Sequence, residues 1–563
     1  MTHKDDILNT FKLPIEETDY IVVDKDVLND LELNNETNPY SLLFQDNTEL
    51  GKIIQEKWKN YYSSDKKFLK SQQKIIKKLS KLSDDKKTSL NTSIINVNNY
   101  YQKWGEIKSL NNEDFLNKFD YISWSHLKNL NTYPLFLQAM TYYNIASPLI
   151  NILLPVLLMI IPFFIIKLTM SEDISFELYK SLLLKQLSNH SIGAVIKSFC
   201  GEDGCVDINT KIYAAASFSI YLFTIYQNIL SCIKFYKNTY FIQSYLYDTK
   251  EFIKHSSNIR EIIESQSGNH NLSITDDMFT YLNILNNKIN IHTDQFSIYN
   301  INNVGNMMHS FHTIFTDDYT NQTILYSFGF TGYISNLLGL VERFKDKSIS
   351  LASIKSNKKT SMIKGYYPFY IGQDDIVSND ISLDKKIIIT GPNASGKTTI
   401  LKTIFINVLL TQQFGCGCYK KCTIMPYDKL FSYINIPDTS GRDSLFQAEA
   451  RRCLDIINYL RENKEKSKTL CIFDELFSGT NPDEAQKSAI SLLKYFKNYN
   501  VDLLLTTHFD DIKLFTDKKY SQKHMIVSND KYTYKLGNGY STINGAIRVL
   551  KDMNYPNEII DMI

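Results

Sequence analysis

The residues best suited to chemistry lie in three short stretches of the C-terminal part of this 563-residue chain. The first is Gly391-Pro392-Asn393-Ala394-Ser395-Gly396-Lys397-Thr398-Thr399. It follows the apolar, β-branched run KIIIT at 386–390 and precedes an apolar helical pattern through Leu410. This is G-x-x-x-x-G-K-[ST] between a strand and a helix, the context that the motif requires. Gly391 and Gly396 allow the backbone to curl so that its N–H groups converge on phosphate oxygens, and the helix N-terminus adds its dipole. Lys397 is placed to reach the β- and γ-phosphates and Thr398 to ligate Mg²⁺, so ATP and Mg²⁺ are the expected ligands.

The second stretch is TLCIF at 469–473, a buried-strand pattern ending in Asp474-Glu475. A carboxylate at that strand end can hold Mg²⁺ through water, and the next one can polarise the attacking water. Asp474 is therefore assigned to the metal and Glu475 to general base catalysis; the alternative is two solvated carboxylates on a loop. The third stretch, 501–505, runs into Thr506-Thr507-His508. His508 is placed to hydrogen-bond the γ-phosphate or the attacking water, although a lone histidine is more often structural. Three such strand–loop units with intervening helices predict an open, mostly parallel α/β sheet with nucleotide at the carboxyl ends of its strands.

The residues also resemble the MutS ATPases. The resemblance rests on GPNASGKTT from Gly391, DTSGRDSLFQAEARR from Asp438, DELFSGTNPDEA from Asp474 and TTHFDDI from Thr506. It extends upstream to Tyr367-Pro368 and VSNDISL, and downstream to GYSTINGAIRVLKDMNYPNEII, over a third of the chain. The wording is most similar to the MutS-like proteins of giant DNA viruses and of some membrane-anchored bacterial relatives. The resemblance implies an ATP-hydrolysing, mismatch-repair-type DNA clamp that works as a homodimer on double-stranded DNA. It implies that Asn393 contacts the γ-phosphate and that Ser444 reaches across the dimer to the partner's γ-phosphate. One residue is extra between Gly441 and Glu449 relative to the family. Where the family stacks adenine on an aromatic ring, this chain has Ile376 and Val377. An ABC-type transporter ATPase is the runner-up, but its LSGGQ signature is absent and TSGRDS stands in that place.

The elements that must carry these residues include a front half with a different composition. The chain holds 62 Lys+Arg against 60 Asp+Glu, and the net charge of +2 excludes a histone-like polycation. That balance is a sum of opposites. The first 50 residues have 3 Lys against 12 acids, whereas residues 52–87 have 12 Lys against 4 acids. The Lys-rich run is either a solvated helix face or a contact for DNA phosphate or an anionic membrane. Eight cysteines suit a reducing compartment. Cys416, Cys418 and Cys422 are read as ordinary thiols, because a zinc site usually has a C-x₂-C spacing and a fourth ligand.

Residues 149–166 carry one polar side chain, Asn151, and no charge; residues 212–233 carry no charge in 22 positions. A bilayer-spanning helix needs about 20 apolar residues, so both segments qualify, with a buried core helix as the alternative for each. Pro155 and Pro162 are expected to kink the first. Cys200 and Cys205, in the connecting segment, could pair in an oxidising lumen or remain free thiols. The expected fold is an α/β P-loop NTPase domain of the ABC/MutS type, preceded by a mainly α-helical core interrupted by a transmembrane helical hairpin. The expected segments are 1–146 (helical core), 147–236 (hairpin with its loop), 237–360 (helical lever) and 361–563 (ATPase). ETNPYSLLF onward from Glu36 and FGFTGYISNLLGLVERF from Phe328 weakly resemble parts of the family's helical core. No mismatch-reading domain or Phe-x-Glu wedge is evident near the start, and no signal peptide, so the expectation is a membrane-associated protein with its ATPase on the cytoplasmic side.

Overall fold

The computed structural model describes residues 3–45, 48–169, 208–267, 298–356, 358–434, 445–463, 467–509, 517–528 and 531–541, with short stretches at 177–181 and 280–284 and some single positions. Ser444, Cys200 and Cys205 lie outside the described residues. The chain forms two compact units, Met1–Asn98 with His255–Asp276 and Ile324–Ile563, and Asn99–Lys254 with Asp277–Thr323. These units cut across the four consecutive segments expected from sequence, because residues 1–98 belong to the unit that holds the phosphate loop.

The N-terminal elements are α1 (His3–Thr10), β1 (Tyr20–Val22), α2 (Lys25–Asp30), α3 (Pro39–Phe44), α4 (Glu49–Trp58), β2 (Tyr61–Ser63), α5 (Lys66–Leu79) and α6 (Asp84–Lys108). Polar caps set their starts: Asn38 accepts from the N–H groups of Tyr40 and Ser41, Thr48 from Gly51, and Asp65 from Lys67. In α5 the apolar face of Phe68, Leu69, Ile76 and Leu79 is buried, while Lys67, Lys70, Lys74 and Lys77 are exposed. The Lys-rich run is not uniform, because Lys57 is buried and its Nζ donates to the carbonyls of Leu8 and Phe11 and pairs with Glu16 at 2.9 Å.

The other unit draws on α7 (Asn112–Lys118), α8 (Pro134–Thr169), α9 (Ile208–Ser267) and α10 (Val304–Thr316). Its core is aromatic: Phe115 stacks on Phe315 with centroids 3.7 Å apart, and Phe311 meets Phe119 edge-on at 4.9 Å. Helix α8 runs without a break through Pro155 and Pro162, so the expected kink does not interrupt it. Tyr221 on α9 donates to the Asn151 carbonyl on α8 at 3.5 Å.

In the first unit, α11 (Asp318–Lys345) leads to β3 (Ser350–Leu351), β4 (Ser353–Ile354), β5 (Ser361–Gly365), β6 (Asn379–Ser382) and β7 (Lys386–Thr390). There follow α12 (Lys397–Phe414), β8 (Cys416–Gly417), β9 (Lys421–Ile424), β10 (Lys429–Tyr433), α13 (Leu445–Glu462), β11 (Thr469–Asp474), α14 (Pro482–Phe496), β12 (Val501–Thr507), β13 (Tyr520–Ser528) and β14 (Lys531–Asn538). The main sheet has the order β10-β11-β12-β7-β13-β14. All its neighbours are parallel except the edge strand β14, which is antiparallel to β13. Every residue of β7 and β12 is buried, as expected of central parallel strands covered on both faces. Ile388, Phe473, Leu503, Leu505 and Phe496 form part of one core beneath the strand ends.

The N-terminal elements pack on α12, the helix that follows the phosphate loop. Phe414 meets Trp58 edge-on at 4.6 Å, the Tyr40 hydroxyl donates to Gln413 at 2.9 Å, and Gln413 donates to the carbonyls of Trp58 and Tyr61. These polar groups are buried with partners on both sides, which fixes the register of the contact.

Candidate functional site

Three strand ends bring the motif residues together. The loop after β7 curls through Ala394 (φ 59°) and Gly396 (φ 95°) into the first turn of α12. Position 396 favours glycine: its φ of 95° strains any L side chain, and a Cβ there would also lie a tight 3.1 Å from the ring of Tyr534. The Nζ of Lys397 donates to the carbonyls of Gly391 at 3.0 Å and Pro392 at 3.2 Å and to Asn393 Oδ1 at 3.4 Å.

β11 lies beside β12, and β12 beside β7, so Asp474 and Glu475 emerge next to the loop. Thr398 Oγ1 donates to Asp474 Oδ2 at 2.5 Å, and the Thr506 hydroxyl donates to Asp474 Oδ1. Burial pushes the Asp474 carboxyl above the usual carboxylate range, against the pull of those two hydroxyls. Glu475 adopts φ 50° and donates its N–H to the Thr506 carbonyl at 3.1 Å. Its Oε1 lies 3.7 Å from His508 Nδ1 and 3.4 Å from Lys397 Nζ. His508 first, and Lys397 with it, hold the Glu475 carboxyl below the usual range despite partial burial. The structure thus brings Lys397, Thr398, Asp474, Glu475 and His508 into one cluster.

These groups line a cavity of about 1240 Å³. Its other walls include residues that sequence reasoning missed. Tyr367, Tyr370, Val377 and Tyr534 are among its lining residues. Val377 is one of the two residues at the family's adenine position; the aromatic rings come from the η turn at 368–370 and from β14. Asp26, Asn29 and Asp30 of α2 also line the cavity, together with Glu449 and Arg452 of α13. Arg452 Nη2 pairs with Asp30 Oδ2 at 2.7 Å, and the same oxygen accepts the N–H of Ile434 at 3.1 Å. No pattern in the first 50 residues marked Asp30 for this place; only the packing of α2 on β10 puts it there.

Cys416, Cys418 and Cys422 are free and buried, and burial pushes Cys418 and Cys422 up to about 12, as thiols rather than thiolates. Among the described residues there is no group of three or more His, Cys, Asp or Glu side chains able to hold a metal by themselves.

Residues 387–563 match the family described as MutS domain V. Proteins named Endonuclease MutS2 are similar over the same part. The one from Clostridium kluyveri is 27% identical over 215 residues, 37% of this chain and 27% of its own length. The one from Bacillus velezensis is 30% identical over 196 residues, 33% of this chain and 24% of its own. The one from Leuconostoc citreum is 26% identical over 251 residues, 43% of this chain and 30% of its own. The similarity therefore spans under a third of the length of these relatives. What the comparisons show is thus a likeness of the C-terminal part, residues 387–563, to MutS domain V.

Proposed function

We propose that this chain is a MutS-like ATPase that hydrolyses ATP to ADP and phosphate and acts as a dimer on duplex DNA, without a mismatch-reading domain of its own. The observation that carries the reading is the single cluster of Lys397, Thr398, Asp474, Glu475 and His508 at the ends of three neighbouring strands. In this reading residues 391–399 cradle the phosphates, with Asn393 and Lys397 on the γ-phosphate. Thr398 and Asp474 fit Mg²⁺: both present oxygen, and Asp474 is a partly buried carboxylate whose charge a cation would relieve. Bound there, Mg²⁺ would neutralise charge developing on the β- and γ-phosphate oxygens. Glu475, ionised at neutral pH because His508 and Lys397 favour its charge, accepts the proton of the attacking water. His508 orients that water or the γ-phosphate. Ser444 acts from the partner copy, as the family resemblance implies. Tyr370 and Tyr534, partly exposed in the cavity wall, are available to the adenine face. The exposed lysines of α5 support contact with DNA phosphate.

Steady-state ATPase and nucleotide-binding assays test this on the full chain. Glu475→Gln is expected to keep ATP binding and lose turnover by about 10²-fold or more; Lys397→Ala is expected to weaken binding itself. Wild-type turnover in Glu475→Gln would remove the base assignment. Duplex binding that weakens linearly in log salt is expected, and no binding at low salt counts against the DNA partner.

A second reading adds a membrane anchor. The uncharged residues 212–233 of α9 would span about 33 Å at 1.5 Å per residue, and Ile212, Tyr213, Ile220, Phe223 and Tyr226 are each more than half exposed. Paired with α8 they would form a hairpin, leaving the chain before and after it on the cytoplasmic side. Resistance to alkaline carbonate extraction is the expected result, and release into the soluble fraction would sink it.

A further inference from the structure

Glu449 sits on α13, 2% exposed, and lines the cavity without a role in the reading above. A buried carboxylate is costly unless its oxygens are satisfied. Here three donors satisfy it. Oε1 accepts the N–H and the hydroxyl of Ser478, each at 3.1 Å, and Oε2 accepts the N–H of Gly479 at 3.2 Å.

All three donors belong to the loop that begins with Glu475. That loop holds two non-glycine residues in the left-handed region, Glu475 at φ 50° and Phe477 at φ 62°. Such residues are strained and persist only where the surroundings over-determine them. At its start the loop is held by the Glu475 N–H on the Thr506 carbonyl, and in its middle by the Phe477 N–H on the Tyr433 hydroxyl at 3.3 Å. At its end the restraint is Glu449. The helix that carries Glu449 is itself tied to α2: Arg452, three residues on, pairs with Asp30 at 2.7 Å. Gly479 packs so tightly on the start of α13 that a Cβ there would lie 2.8 Å from Leu445.

We propose that Glu449 is a positioning residue for hydrolysis, holding the 475–479 loop in the strained form from which Glu475 faces Lys397 and His508. This rests on the ATPase reading above. Among the described residues Glu449 bonds to Ser478 and Gly479 and not to Lys397 or the Glu475 carboxylate, so its effect runs through the loop at 478 and 479.

The test compares wild type, Glu449→Gln and Glu449→Ala as full-length proteins, with nucleotide affinity and kcat measured for each. Misplacing a reacting group by about 1 Å can cost about 10²-fold. The alanine variant is therefore expected to lose about 10²-fold in kcat with nucleotide affinity changed less than about 2-fold. The glutamine variant keeps one acceptor oxygen and is expected to recover part of that loss. If the alanine variant does not fold, the glutamine variant carries the same test. Unchanged kcat overturns the proposal; so does a parallel loss of nucleotide affinity, which is what a merely structural carboxylate would give. Absence of turnover in the wild type overturns the ATPase reading and this one with it, whereas wild-type turnover with an indifferent Glu449 overturns this one alone.

Discussion

Helices α9 and α11 each contain an 18-residue window apolar enough to cross a membrane, yet none of that window is buried in α9 and 89% is buried in α11. Composition does not separate them; the small residues do. Along α11, Gly329, Gly332 and Gly339 meet backbone or side chains of the N-terminal elements so closely that Cβ atoms would lie 2.2 Å from Phe11, 2.4 Å from the Leu50 carbonyl oxygen and 1.7 Å from that of Phe44. The uncharged stretch of α9 has no glycine. Its surface is ringed instead by Tyr213, Ile220, Phe223 and Tyr226, which stand out from the helix. One helix is built to be approached by protein; the other presents large apolar side chains outward.

The strongest way to break this contrast is to add a side chain at the closest contact. Gly339→Val would drive Cβ and both methyl groups into the Phe44 carbonyl, a backbone atom that cannot rotate away. No folded protein is expected, read as loss of the cooperative unfolding transition. Ala215→Val, at an exposed position of α9, should change stability by no more than the helix-propensity difference of about 0.7 kcal/mol. Equal effects at the two sites would mean that α9 is packed as α11 is.

A milder pair removes a ring instead of adding a methyl. Phe328 is fully buried in α11, and Phe328→Ala should cost about 3–5 kcal/mol in a denaturant titration. Phe223 is 59% exposed, and Phe223→Ala should stay within about 0.5 kcal/mol in detergent.

How much of this was legible in the chain depends on the range of the interaction. KIIIT, TLCIF and the 501–505 run become β7, β11 and β12, because apolar β-branched runs between a turn and a helix have few other ways to be buried. Thr398, Asp474 and Glu475 were legible from local spacing, since the chemistry of a phosphate loop fixes which strand ends must adjoin. Glu449 was not, because its role exists only through loop N–H groups 29 and 30 residues away. Asp30 was not, because an acidic head in which 12 of 50 residues are carboxylates gives no reason to single out one of them. Tyr534 was hidden for the same reason: a tyrosine on an edge strand carries no mark of the ring position it takes above Gly396.

The smallest expected effect on folding is also the one that discriminates best between solvent and lipid. Ile220 is 67% exposed near the middle of the uncharged stretch, and Ile220→Asn removes little buried area from the protein. Its denaturation midpoint in detergent should therefore match wild type within about 0.5 kcal/mol. In a bilayer the same amide would enter hydrocarbon without a water partner, at a cost of several kcal/mol for an unsatisfied polar group. The variant should then shift from the carbonate-resistant to the extractable fraction while its folding in detergent is unchanged. If both readouts stay at wild type, α9 faces water, and its exposed rings await a protein partner instead of lipid. If instead stability in detergent falls by as much as for Phe328→Ala, the helix is buried in protein, and the difference between α9 and α11 is one of degree.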